Sequence, residues 1–541
     1  MLRNKRLVVM KYPIGIQAFE RIIKEGYVYV DKTDLVYSLV NSSPIYFLSR
    51  PRRFGKSLLI STLENYFLGN KELFKGLAIE KLEKEWKKYP VFRVSFGTGR
   101  FTQPNMLSQV FNGLLQDWEE TYEVKRKYDD EGLRFKDVLA AAHKKTGMGC
   151  VVLVDEYDKP ILDVLDTGET IERNGRKISL EDNNREILKS FYSSFKDADS
   201  DLKFVFLTGV TKFSQVSVFS GFNQPNDISM VEKYDTLCGI TDEEIDTYFS
   251  ESVAELAEKQ KKSVPEMRSM LRKRFDGYRF STRLKGVHNP FSLLNTFENQ
   301  AINDYWFRTG TPTYLIRLLN HSDKNLDELT NKYYTQSQFI DYKADKEEPL
   351  PMIYQSGYLT IKGVDDDDDD TLFLLDFPND EVKRGFVSLV GNNYLKQKDD
   401  IECTCFQLSR ALKKDDLEKF RVQLTAFLAS VPYEMRRKEN EQERERYFHY
   451  TFYLIMRLIS TYLVYTEKRQ SQGRVDCVIE TKTNIYIFEF KLDGTAEEAM
   501  QQIKDKGYAK EYLADGRPIR LIGCSFSSET GTIGEWKCEN L

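Results

Sequence analysis

Two rhythms of apolar residues divide the chain. Over roughly the first 230 residues, short unbroken apolar segments alternate with longer helical patterns. "PIYFLS" (44–49), "YPVFRVSF" (89–96), "GCVVLVDE" (149–156) and "KFVFLTGV" (203–210) are the apolar segments, and "SLLISTLENYF" (57–67) is one of the helical ones. Short runs without polar alternation predict strands buried on both faces. Strands spaced by helices predict a parallel sheet covered by helices. From about 240 to 350 the rhythm is helical, most clearly in "TDEEIDTYFSESVAELAEKQ" (241–260), with "FDGYRFS" (275–281) and "HNPFSLLN" (288–295) as turn-rich punctuation. Six aspartates at 365–370 carry too much like charge to pack, which predicts an exposed loop. Strand-like "SGYLTI" and "TLFLLDFPN" flank the run, so it tips a hairpin. A helical stretch near 414–430 leads into a last α/β segment. No internal repeat is visible. The pattern divides the chain into 1–235, 236–400 with the acidic loop, and 401–541.

The last segment contains "GRVDCVIETKTNIYIFEFKL" (473–492), two apolar runs around the polar break "TKTN" at 481–484. The runs predict an antiparallel hairpin in which paired residue numbers sum to 965. Asp476 then faces Glu489. Alternation places Glu489 and Lys491 on one face with Ile485 and Ile487, and Tyr486, Phe488, Phe490 and Leu492 on the other. Directly opposed side chains lie about 5 Å apart at Cβ, and like charges so placed are destabilising. Such a pair asks for a cation. A solvated edge would be the alternative, but the apolar neighbours on that face argue against it.

Composition narrows the class. The 541 residues are 41% hydrophobic and 30% charged, as in folded soluble chains. No apolar run approaches the roughly 18 residues of a membrane span. The start has basic residues but too short an apolar stretch for a secretory signal. Seven scattered cysteines and four histidines give no disulfide framework or zinc ribbon. A cytoplasmic compartment with reduced thiols is the expectation. The net charge of −5 means that any contact with DNA is local.

Gly55-Lys56-Ser57 follows a predicted buried strand and opens a helix, as the end of the phosphate loop G-x-x-x-x-G-K-[ST] does. Backbone N–H groups and the helix N-terminus would surround phosphate oxygens, Lys56 would reach the β/γ-phosphates, and Ser57 would hold Mg²⁺. The first glycine is replaced by Arg50. A bare GK[ST] arises by chance in roughly one chain in four of this length at ordinary composition. Context adds weight. "VVLVDEYD" (151–158) ends a strand in two acids: Asp155 would hold Mg²⁺ through water, and Glu156 would orient an attacking water. Thr208 ends another strand where it would sense the γ-phosphate. Ligands of open α/β sheets collect at the carboxyl ends of the strands, where all three motifs sit. Acids in such places also serve as helix caps. Arg52 and Arg53 would either bind phosphate or merely flank the loop.

"YPIGIQAFERIIKEGYVYVDKTDLVYSLV", "RPRRFGKSLL", "LVDEYDKPI" and "LTGVTKFSQVSVFSGFNQPNDISM" resemble, in order, the AAA-ATPase-like family of bacterial proteins that end in a PD-(D/E)XK nuclease-superfamily domain. The resemblance covers about residues 11–537. It implies an α/β fold: an N-terminal RecA-like P-loop ATPase, a helical and winged-helix-like middle, and a C-terminal nuclease-like domain. In that family Arg-Pro-Arg-Arg-Phe is the usual loop, so Arg50 is expected. Members share "FDGYRF", "NPFSLLN" and "WFRTGTPTYLI" (306–316), within which Arg308 is either a reader of nucleotide state or a surface ion-pairing residue. At the C-terminus Asp476 and Glu489-Phe490-Lys491 match the superfamily's acids and lysine.

The resemblance implies that Asp476, Glu489 and the Phe490 carbonyl hold Mg²⁺, with Lys491 positioning a water or offsetting charge. Its helix acid falls on Glu445, three residues before Phe448 in the stripe Phe448, Phe452, Ile455, Ile459; Glu443 lies off that stripe, and Glu441 is a weaker substitute. Gln502 and Tyr508 match the following helix, and Arg474 the Gly-Arg-x-Asp pattern; His449 reads as packing. The expected cofactors are ATP and Mg²⁺ and the expected substrate is DNA, without a membrane partner and with homo-oligomerisation left open. The main expectation is an ATPase that controls a Mg-dependent deoxyribonuclease. Its rival is an ATP-dependent switch or scaffold whose nuclease fold binds without cutting.

Overall fold

The computed structural model describes residues 10–173, 175–213, 225–309, 315, 329–340, 349–367, 370–395, 401–430, 455–456, 459 and 476–541. They form two compact units, Met1–Glu381 and Val382–Leu541.

In the first unit the predicted apolar runs are β1 (Ile45–Ser49), β2 (Val91–Ser95) and β3 (Cys150–Asp155). A short hairpin, β4 (Thr170–Arg173) with β5 (Arg176–Ser179), precedes the fourth run, β6 (Leu202–Gly209), and β7 (Asn226–Asp227) follows. The main sheet is parallel, in the order β2-β3-β6-β1-β7. Every residue of β3 is buried, which is why this run carries no polar alternation. Helices Met106–Tyr122, Glu131–Thr146 and Leu180–Asp197 pack through a stack of Phe111, Phe191 and Phe135, with centroids 4.4 and 4.7 Å apart. A bidentate pair, Arg134 to Glu119 at 2.8 and 2.9 Å, lies buried between two of these helices.

The pattern at 241–260 predicts one helix, whereas the chain forms two, Asp242–Tyr248 and Ser250–Lys259. Phe249, fully buried, leaves the helical backbone at φ −131° and ψ 16°. Its ring packs on Phe297 (5.4 Å) and Tyr12 (6.4 Å), partners from distant parts of the chain. Tertiary packing overrides the local period there.

The acidic run does tip a hairpin, but its strands reach into it. β8 (Lys332–Thr335), β9 (Thr360–Asp367) and β10 (Asp370–Asp376) form an antiparallel sheet in the order β8-β10-β9. Asp366 pairs with Thr371, whose hydroxyl donates to its carboxylate at 2.7 Å. Exposure of Asp365, Asp366 and Asp370 lets water screen their charge, so ladder pairing persists.

The second unit holds a four-stranded sheet: β11 (Cys477–Glu480), β12 (Ile485–Leu492), β13 (Ile519–Ser527) and β14 (Thr532–Asn540), adjacent in that order. β12 and β13 are parallel, joined by the crossover helix Ala496–Lys506, while the outer pairs are antiparallel. A Thr495/Glu498 capping box starts the helix and Gly507, at φ 64°, ends it. One sheet face, with Val478, Ile485, Ile487 and Leu521, packs beneath this helix through Met500 and Ile503. On the other face the Tyr486 hydroxyl donates to the Leu412 carbonyl at 2.7 Å and Phe488 meets Phe420 at 5.9 Å. Those partners belong to helices Ile401–Lys413 and Leu417–Ser430. Ile455 and Ile459 of the predicted helical stripe are buried; Phe448 and Phe452 lie outside the described residues.

Candidate functional site

Two clusters of chemistry-bearing residues form, one per unit. In the first, β1 delivers the chain into Arg50–Gly55 and then into helix Lys56–Phe67. Gly55 caps that helix at φ 92°, a left-handed conformation that any side chain would strain. Lys56 is buried, and its Nζ donates to the carbonyls of Arg50 (2.8 Å) and Pro51 (2.9 Å). Burial pushes its ammonium below the ordinary lysine value, while Asp155 and Asp158 oppose that shift. Ser57 follows, half-buried, and Arg52 and Arg53 are exposed.

The register sets the other strand ends beside this loop. Ser49 is level with Gly209, and Leu48 with Thr208. Asp155 ends β3, and its carboxylate accepts the Thr208 hydroxyl at 2.9 Å. Thr208 is fully buried, and its hydroxyl also lies 3.5 Å from the Val154 carbonyl. Glu156 turns the chain at φ 57°, bringing its carboxylate within 3.6 Å of the Cβ position of Gly97, just beyond β2.

Asp158 is a residue that sequence reasoning missed. It accepts from the N–H groups of Val210 (2.9 Å) and Thr211 (2.6 Å), fixing the chain after β6. Burial raises its carboxyl to about 6, against the pull of the Thr211 N–H and Lys56. The signal lies in the last acid of "DEYD", but only the fold shows that it turns back on β6. Arg50, which stands at the position of the loop pattern's first glycine, is taken up by the protein's own backbone. Its buried guanidinium donates to the carbonyls of Ser49, Ser229 and Tyr234. Arg308 is exposed.

Asp242, Asp276 and His288 converge where backbone bridges join Ile240 to His288 and Tyr278 to Val287. Arg272 (2.6 Å) and His288 (3.0 Å) already engage the Asp242 carboxylate, so this is an ion-paired junction of three segments.

In the second unit β11 and β12 pair with partners summing to 965: Cys477 with Phe488, Glu480 with Ile485. The turn closes through Thr481 N–H to the Asn484 carbonyl at 2.8 Å. Asp476, just before β11, therefore comes opposite Glu489. Its N–H donates to Glu489 Oε2 (3.4 Å), and its Oδ2 accepts the Phe490 N–H (2.8 Å). Glu489 is 2% exposed. Burial first, and facing Asp476 second, push its carboxyl up to about 8, while Lys491 pulls it down from 3.9 Å.

Gln502 stands between the two, donating to Glu489 Oε1 and accepting from Lys491 Nζ. It reaches them because its helix sits directly on β13 at Gly523. A Cβ there would meet the Ala496 carbonyl at 2.5 Å and the Met500 nitrogen at 2.8 Å. Two close carboxylates, one deeply buried, suit a hard divalent cation. Asp476, Glu489 and a neighbouring backbone carbonyl are the donor types such an ion takes. Glu445, Glu443, Glu441, His449 and Arg474 lie outside the described residues.

Each cluster lies within a segment that matches a known family. Residues 13–219 match the AAA-ATPase-like family described as "Predicted AAA-ATPase", and residues 443–536 match a family of the PD-(D/E)XK nuclease superfamily. A protein of Azotobacter chroococcum mcd 1, named "Uncharacterized protein in vnfD 5'region", is 35% identical over 535 residues, spanning 98% of this chain and 99% of its own. Among the described residues, no helix is long and apolar enough to cross a membrane. With a relative matched over nearly its full length and both clusters inside the matched segments, the chain belongs to the family that joins an AAA-ATPase-like domain to a C-terminal PD-(D/E)XK nuclease-superfamily domain.

Proposed function

We propose that the protein binds and hydrolyses ATP in its first unit and uses that cycle to control Mg²⁺-dependent cleavage of DNA phosphodiester bonds in its second. The observation that carries the cleavage reading is the meeting of Asp476 and Glu489 beside Lys491 and Gln502. Asp476, Glu489 and the Phe490 carbonyl would hold Mg²⁺, which when bound offsets their charge and makes a water more acidic. Lys491 brings positive charge to the phosphate as negative charge develops. Gln502 fixes the Lys491 ammonium and the Glu489 carboxylate in one geometry, and Glu445, outside the described residues, would be the remaining acid of the set.

In the first unit Ser57 and Asp155 would hold Mg²⁺ and Lys56 would take the β/γ-phosphates, exchanging its two loop carbonyls for them. Glu156 orients the attacking water, Thr208 fixes Asp155, and Arg52 and Arg53 offer exposed charge to phosphate. The rival reading, a nucleotide switch whose nuclease fold binds without cutting, draws on the net charge of −5.

The deciding experiment measures cleavage of linear, nicked, branched and single-stranded DNA with Mg²⁺ or EDTA, with and without ATP. Wild type is expected to cut only with Mg²⁺, and Asp476→Ala and Lys491→Ala to lose cutting. Cutting that both variants retain, or no cutting of any form, refutes the enzyme reading. Lys56→Ala is expected to lose ATP binding, measured separately.

A further inference from the structure

The residues ahead of Gly55 are clasped one by one by side chains and backbone from the segment 229–358. Arg50 donates to Ser229 and Tyr234 carbonyls and lies 4.1 Å over the Phe280 ring. Pro51 presses on Gly357, where an added Cβ would come 2.6 Å from the proline ring. The Arg52 carbonyl accepts the indole Nε1–H of Trp306 at 3.0 Å. Arg53 sits 5.0 Å over Phe291, and Phe54 packs edge-on against Tyr278 at 4.7 Å. A loop so held cannot move without moving its holders.

Trp306 also bonds beyond the loop. Its backbone N–H donates to the Glu381 carboxylate (2.8 Å) and the Ser292 hydroxyl (3.0 Å), and its ring lies 5.3 Å from Tyr358. Across a trans peptide, the carbonyl of one residue and the N–H of the next point in opposite directions. By pinning the Arg52 carbonyl, the indole aims the Arg53 N–H away from itself. Backbone N–H groups are what a phosphate loop offers its ligand. Lys56 meanwhile donates to the Arg50 and Pro51 carbonyls, so arrival of a phosphate rearranges bonds one peptide from the Trp306 anchor.

We propose that Trp306 is a positioning residue of the phosphate loop: it orients the Arg52–Arg53 peptide for phosphate binding and transmits the loop's nucleotide state to Glu381. This rests on the nucleotide reading of the loop. Within "WFRTGTPTYLI" the tryptophan makes this bond, whereas Arg308 is exposed.

The test uses the full chain with Trp86, Trp118 and Trp536 changed to Phe, leaving Trp306 as the only indole. Its emission is titrated with Mg·ATP while equilibrium dialysis measures ATP binding independently. The expected result is an emission change that saturates with the dialysis Kd. In the wild-type background, Trp306→Phe keeps an aromatic ring, smaller than the indole, but loses the donor, and should weaken ATP binding about 5- to 10-fold, the worth of one hydrogen bond. Trp118→Phe, remote from the loop, should leave ATP affinity unchanged. Binding by dialysis without any emission change, or with full affinity in Trp306→Phe, overturns the proposal. No binding by dialysis at all overturns the nucleotide reading itself, and this proposal with it.

Discussion

Replacing Gly523 by alanine tests whether the second unit's cluster depends on backbone approach. The new Cβ would stand 2.5 Å from the Ala496 carbonyl oxygen and 2.8 Å from the Met500 nitrogen. Both are backbone atoms of helix Ala496–Lys506, so no rotamer change relieves the clash; the helix must lift by about 1 Å to restore ordinary contact. Overpacking of this kind costs about 1–3 kcal/mol. Gln502 rides on the same helix, and about 1 Å of misplacement at a reacting centre costs on the order of 100-fold in rate. Urea denaturation should show the midpoint falling with an unchanged slope, and Mg²⁺-dependent DNA cleavage should fall by about two orders of magnitude. Gly534→Ala is the control. Its Cβ would meet the Ser525 Oγ at 2.8 Å, a side-chain atom that can turn aside at the cost of its bond from the Glu535 N–H. A Gly523→Ala protein with wild-type denaturation midpoint would refute the close-packing argument, as would one destabilised no more than Gly534→Ala.

Three further outcomes follow from the first unit. Burial holds the Glu381 carboxyl up at about 7, above an unfolded value near 4.5, so wild type should lose stability as pH rises between those values; Glu381→Gln should flatten that slope and gain on the order of 3 kcal/mol at pH 8, read as the difference between melting curves at pH 4 and pH 8. Arg134→Met strands the buried Glu119 carboxylate and should cost about 3–5 kcal/mol in urea denaturation, while the double change Arg134→Met, Glu119→Leu should recover most of it. Asp158→Asn keeps one carbonyl oxygen for the Val210 and Thr211 N–H groups, which share Oδ2 in the wild type, but removes the negative charge that steadies Lys56; it should weaken ATP binding about 10-fold by equilibrium dialysis, and unchanged affinity would show the residue to be purely structural.

Much of this architecture is local enough to be written in the sequence. Buried parallel strands need unbroken apolar runs, and four such runs became β1, β2, β3 and β6. The hairpin register followed from a single polar turn, because a period of two leaves no freedom once the turn is placed. Counting outward from that turn is enough to set Asp476 opposite Glu489. Gln502 was legible only through family resemblance; the bridge it makes between Glu489 and Lys491 needed the helix laid on Gly523.

What the sequence could not supply are the pairings between segments far apart along the chain. Nothing local marks Phe249 as a helix break, since the cause is a ring from residue 297 and another from residue 12. Nothing local ties Trp306 to the Arg52 carbonyl, 254 positions away. Periodicity and turn chemistry act between neighbours, so they decide elements and register by themselves. Which peptide a buried N–H reaches, and how far a carboxyl's proton affinity is moved, depend on desolvation and on distances that exist only after the elements pack.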